Sequence, residues 1–118
     1  MSYVDGFLLP VPKKNLKSYR KMAAVGKKLW MKHGAVAYME CVGDDLNTGF
    51  GLPFPKIVKP KPGEVVVFSF IVYKSKAHRK QVNTKVMKDP VMNTFATAKM
   101  PFDVKRMCNG GFQAIVES

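Results

Sequence analysis

Val65-Val-Val-Phe-Ser-Phe-Ile-Val-Tyr73 is apolar at almost every position. Successive side chains of a strand point to opposite faces, so this run predicts a central strand buried on both sides. The segment before it, Gly43 to Gly63, is rich in Gly and Pro and predicts a long loop, with a short extended piece near Lys56 to Lys59. Ahead of that loop, Ala35 to Val42 predicts another strand. Val36, Tyr38, Glu40 and Val42 share one of its faces, and Ala35, Ala37, Met39 and Cys41 the other.

Further out, Lys14 to His33 has helical periodicity. On a helical wheel Leu16, Tyr19, Met22, Ala23, Gly26, Leu29, Trp30 and His33 fall in one arc of about 140°, and Lys13, Lys14, Lys17, Arg20, Lys21, Lys27, Lys28 and Lys32 fall in a separate one. Gly34 is suited to the left-handed residue that ends such a helix. Tyr3 to Pro12 predicts a first strand ending near Pro10. Beyond the central strand, Ser75 is placed to cap a second helix with His78, Val82 and Val86 as its buried stripe, which Pro90 ends or restarts. A short helix is expected over Val91 to Ala98. Lys105 to Val116 predicts the last strand, with Gly110 and Gly111 suited to a bulge or a close contact.

The order is therefore strand-helix-strand-strand-helix-strand. Two split βαβ units with right-handed crossovers give an α+β, ferredoxin-like βαββαβ fold: a four-stranded antiparallel sheet in the order 4-1-3-2 with both helices on one face. The other face carries too many large apolar groups to stay wet, so a homodimer with sheets packed face to face, a dimeric α+β barrel, is expected.

Composition bounds the rest. A chain of 118 residues has room for one core, hence a single domain over residues 1–118. Hydrophobic residues at 47% and charged residues at 24% exclude a disordered chain. No apolar run approaches the roughly 20 residues of a membrane helix, and Met1 to Phe7 lacks a basic region followed by an apolar one, so no membrane association and a cytoplasmic location are expected. Cys41 and Cys108 read as small buried hydrophobes, neither bridged nor metal-bound, and no metal or cofactor is expected. The net charge is +12, yet only Arg20, Arg79 and Arg106 carry guanidinium groups. Phosphate and base recognition favours Arg, so the lysine excess reads as a solvated surface.

Tyr3-Val-Asp-Gly-Phe7, Glu40-Cys41, Val66-Val-Phe-Ser-Phe70, Asn83-x-x-x-Met87-x-Asp89-Pro90-x-Met92 and Met100-Pro-Phe-Asp-x-Lys-Arg-Met107-x-x-Gly110-Gly-Phe112 together resemble the YbaA-like family of uncharacterised small bacterial proteins. The resemblance covers essentially the whole chain and is most specific in the last of these stretches. It implies the dimeric α+β barrel superfamily, which includes cofactor-independent monooxygenases, haem-degrading enzymes, isomerases and proteins without known activity. No reaction is inherited from that fold.

Candidate residues follow from the strand pattern. Asp5 and Arg106, on strands expected to be neighbours, form a pair that orients a ligand carboxylate or hydroxyl, or else holds the sheet edge. Asp103, Lys105 and Arg106 form an anion site or anchor a loop. Tyr38, Glu40, Ser69 and Tyr73 are expected to face the space between the sheets and to line a pocket or fill the dimer core. Tyr19, Met22 and Trp30 read as packing. His33 and His78 read as partly buried histidines with structural hydrogen bonds, and neither has metal-ligand spacing. Lys17, Lys21 and Lys28 belong to the basic arc, an anion or nucleic-acid surface in one reading. The aromatics of that helix point the other way, which favours a solvated face. Three function classes stay open: a cavity protein binding a small organic ligand, with cofactor-independent enzyme chemistry as an extension; an RNA- or polyanion-binding module; and a structural or interaction protein with no ligand.

Overall fold

The computed structural model describes residues 1–118. Along the chain run β1 (Tyr3–Pro12), α1 (Leu16–Lys32), β2 (Ala37–Val42), α2 (Phe54–Val58), β3 (Glu64–Tyr73), α3 (Lys76–Lys88), α4 (Met92–Thr97) and β4 (Cys108–Gln113). The strands form one antiparallel sheet in the order β2-β3-β1-β4. No helix is long and apolar enough to cross a membrane.

Register fixes the two faces. Asp5 lies opposite Ile71 and Gly111, Phe7 opposite Ser69, and Glu40 opposite Ser69 from the other side. Because side chains alternate, Tyr3, Asp5, Phe7, Leu9 and Val11 share a face with Tyr38, Glu40, Val67, Ser69, Ile71 and Tyr73. Helices α1 and α3 cover this face. Leu29, Val82 and Val86 pack with Tyr3, Ile71 and Tyr73, while Tyr19 and Ala23 pack with Leu9, Val11 and Val67. Full burial of such side chains is worth about 1.5–3 kcal/mol each, so these two clusters hold the helices to the sheet. The opposite face presents Leu8, Met39, Cys41, Phe68, Phe70 and Phe112, and its only charged side chain is Glu64 at one end.

Local signals act where expected at both long helices. Gly34 follows α1 with φ 108°, and the Ser75 hydroxyl accepts the His78 amide at 3.0 Å to start α3. Elsewhere the structure revises the reading. β1 runs on through Pro12, because β4 pairs only with Tyr3 to Leu8 and leaves the far end of β1 as an edge. The Lys13 amide still reaches the Gly63 carbonyl at 2.8 Å, so Pro10 and Pro12, in alternate register, turn their missing N–H groups to the unpaired side. The piece expected to be extended near Lys56 is instead helix α2, started by Pro53 and Pro55 and ended by Lys59 in the left-handed region at φ 52°. β3 is buried mainly along the face under α1 and α3; on the other face Val66 alone is buried, and Phe68 remains 46% exposed. β4 is shorter than predicted and carries no bulge. Val104–Arg106 forms a 3-10 turn, because the Asp103 carboxylate accepts the Lys105 amide at 3.1 Å. Gly111 serves a close contact, since a Cβ there would stand 2.8 Å from a Tyr3 ring carbon.

Candidate functional site: a cleft beneath the helices

Between the sheet and α1 lies a cleft of about 230 Å³. Strand alternation sends Phe7, Tyr38, Glu40, Ser69 and Ile71 into it, and the inner arc of α1 adds Tyr19, Met22 and Trp30. Phe102 and Met107 close it from the segment ahead of β4. Phe102 meets Tyr19 edge-on, with ring centroids 5.7 Å apart. Asn15 Nδ2 steadies that segment by donating to the Pro101 carbonyl at 3.0 Å.

Glu40 is the polar centre of the cleft. Tyr19 donates its hydroxyl to Oε1 at 2.7 Å, and Tyr38 donates to Oε2 at 2.9 Å. Burial first, and the Glu40 carboxylate next, push both phenols well above the ordinary tyrosine value, so they stay protonated and donate at neutral pH. Gly26 makes this arrangement fit: a Cβ there would lie 3.0 Å from the Tyr38 oxygen. On its other side Glu40 borders a groove of about 410 Å³ whose walls include Arg20 and Lys27. Neither cation pairs with it.

A second polar centre lies beyond Phe7, Trp30 and Ile71, which line both the cleft and an adjoining space of about 220 Å³. Arg79 on α3 grips Asp5 with two bonds, Nη2 to Oδ1 at 2.8 Å and Nε to Oδ2 at 3.1 Å. The same guanidinium lies over the Tyr3 ring, 5.1 Å from its centroid. Asn83 Oδ1 accepts from Trp30 Nε1 at 3.1 Å and from the Tyr73 hydroxyl at 3.3 Å. Burial, and then the charge of Asp5, raise the Tyr73 phenol, which remains a donor.

The structure therefore gathers Asp5, Tyr38, Glu40, Ser69 and Tyr73 on one face, but not the face expected. They point under the helices, because they share the register parity that α1 and α3 cover, and the open face keeps the apolar set. Arg106 does not meet Asp5. It belongs to the turn before β4, where it clamps Glu64 at 2.8 and 2.9 Å and donates to the Lys59 carbonyl at 3.1 Å. That clamp holds the Glu64 carboxyl below its usual range. Lys105 is exposed beside it, and Lys17, Lys21 and Lys28 are exposed on the outer side of α1 and line neither space. His33 Nε2 lies 2.8 Å from Asp89 Oδ2. Asp89 also accepts from Lys32 at 3.1 Å and from the Val91 amide at 2.9 Å, and these donors, the amide foremost, hold its carboxyl far below the usual value. His78 Nδ1 accepts the Lys74 amide at 3.0 Å. The cysteines depart from expectation: Cys41 is half-buried and Cys108 exposed, both on the open sheet face.

A family profile described as "Protein of unknown function (DUF1428)" matches residues 2–104. The chain belongs to this family. Uncharacterized protein YbaA of Escherichia coli strain K12 is 44% identical over 117 residues, covering 99% of each chain, and the protein of the same name from Shigella flexneri matches to the same extent. In this DUF1428 chain the stretches that resemble YbaA have physical roles around the cleft. Asn83 takes the Trp30 and Tyr73 donors, Phe102 and Met107 form a wall, and Arg106 anchors that wall to β3. Sequence reasoning missed Arg79 and Asn83. One signal was available: Asp5 in an otherwise apolar strand requires a cation, and Arg79 and Asn83 stand one turn apart on α3.

Proposed function

We propose that the chain binds a small, largely apolar organic molecule in the cleft beneath α1. In the same proposal, two copies pair through the open sheet face as a ferredoxin-like, dimeric α+β barrel in the cytoplasm. The observation that carries the ligand half is Glu40: a carboxylate oriented by two phenols, facing a mostly apolar cleft, at a position where a fully packed core would place an aliphatic side chain. Support for the pairing is the opposite face, where Phe112 is 64% and Met39 52% exposed among other apolar groups with no free charge between them. The lysines of α1 are spread over an exposed helix face without an aromatic among them, which gives the polyanion reading no stacking surface.

Native mass spectrometry of the protein, purified gently from its host, tests both halves. The expected spectrum is a dimer of the 13.2 kDa chain carrying a small organic adduct that Ser69→Trp, which fills the cleft, loses. A bare wild-type protein, or an adduct retained by Ser69→Trp, refutes the ligand site. A monomer refutes the pairing.

A further inference from the structure

We propose that Glu40 is the docking point for a protonated amine, so that the cleft takes a small molecule with an ammonium or amidinium head and an apolar body. The inference deepens the cleft reading and rests on it.

Four carboxylates are withdrawn from solvent: Asp5, Glu40, Glu64 and Asp89. Three have a cation in contact. Arg79 lies 2.8 Å from Asp5, Arg106 2.8 Å from Glu64, and Lys32 3.1 Å from Asp89. Glu40 has none, in a chain with 20 basic residues. Its two phenol donors supply hydrogen bonds but no positive charge, and a carboxylate among apolar walls is costly until it is neutralised. Each oxygen accepts from one phenol, and an ionised carboxylate has about four acceptor positions, so room remains for donors from a ligand.

The walls match the same chemistry. Phe7, Tyr19, Trp30 and Phe102 line the cleft, and an aromatic ring attracts a cation placed over its face. Met22 and Met107 fill irregular gaps and adapt to the apolar body. At about 230 Å³ the space suits a fragment-sized molecule rather than a drug-sized one. An anionic ligand would meet Glu40 head-on. A neutral one would leave its charge uncompensated. The +12 net charge is spread over exposed lysines and is screened beyond about 10 Å in ordinary salt, so it slows the approach of a cation more than it weakens the docked state.

Trp30, the single tryptophan, lines the cleft, so its fluorescence reads binding directly. Benzylamine, benzyl alcohol and benzoate are titrated into the full-length protein. Benzylamine is expected to bind about tenfold more tightly than benzyl alcohol, the difference between a charge-assisted and a neutral hydrogen bond. Benzoate is expected to bind weakest. Glu40→Gln should bring the amine and alcohol affinities together, while Tyr19→Phe, which keeps the carboxylate, should retain the amine preference. Equal binding of amine and alcohol by the wild-type protein overturns the inference alone, and that comparison stands whether or not Glu40→Gln folds. A folded Glu40→Gln that still prefers the amine also overturns it. No saturable change with any of the three probes overturns the cleft reading and the inference together.

Discussion

Gly26→Ala should destabilise this protein, although replacing a helical glycine by alanine ordinarily stabilises by about 0.5–1 kcal/mol. Gly26 is buried inside α1, and an alanine Cβ there would lie 3.0 Å from the Tyr38 oxygen and 3.8 Å from its Cζ. The hydroxyl has little freedom to retreat, because it donates to Glu40 at 2.9 Å and Glu40 is held in turn by Tyr19 at 2.7 Å. Displacing it sacrifices a hydrogen bond to a charged group, worth about 1.5–3 kcal/mol. Subtracting the propensity gain leaves a net loss of about 0.5–2.5 kcal/mol. In a Tyr38→Phe background the obstacle is gone, and the same Gly26→Ala change should stabilise by the ordinary amount. Urea unfolding of the four proteins in this cycle measures the difference, provided the dependence on urea keeps one slope. If Gly26→Ala stabilises equally in both backgrounds, Gly26 is not the space that seats Tyr38, and the packing argument for the Glu40 centre fails.

Three further outcomes are expected. The Asp89 carboxyl is held below its ordinary value, so its contribution is present above about pH 4 and drains away as pH falls below it; the melting temperature should therefore drop more steeply on acidification in the wild type than in Asp89→Asn, and parallel curves would contradict this. Arg106→Lys keeps the charge but loses the fork that spans Glu64 and the Lys59 carbonyl, so the melting temperature should fall and the Met107 amide, bonded to Val104 at 3.2 Å, should exchange faster; an unchanged exchange rate would show the clamp to be idle. Phe68→Asp places a charge in the middle of the open sheet face and should convert a dimer to a monomer in sedimentation velocity, whereas a dimer that survives it is built on another surface.

Much of the fold was legible because it follows from period and punctuation. The inner arc of α1 and the strand alternation of Ala37–Val42 came directly from spacing, and Gly34 and Ser75 marked helix ends by their own chemistry. Two features were not legible for physical reasons. Which face of the sheet the helices cover depends on the summed burial of all four strands, so the grouping of Tyr38 with Glu40 was readable while its side was not. Ion-pair partners depend on where turns and packed helices place long side chains: Arg106 falls in the turn before β4 and reaches Glu64, and Asp5 is met from the helix layer above its own face by Arg79 on α3. Tyr19 and Trp30 were legible as core but not as donors, because a helical wheel locates a ring without showing what its polar tip meets.

The most direct test of the account is a ¹H–¹⁵N correlation spectrum of the labelled protein during titration with benzylamine. The account predicts saturable shifts at the Trp30 indole N–H and at the amides of Tyr38, Glu40, Ser69 and Ile71, which surround the cleft. Shifts confined to the outer side of α1 at Lys17, Lys21 and Lys28, or to Phe68 and Phe112 on the open sheet face, would contradict it.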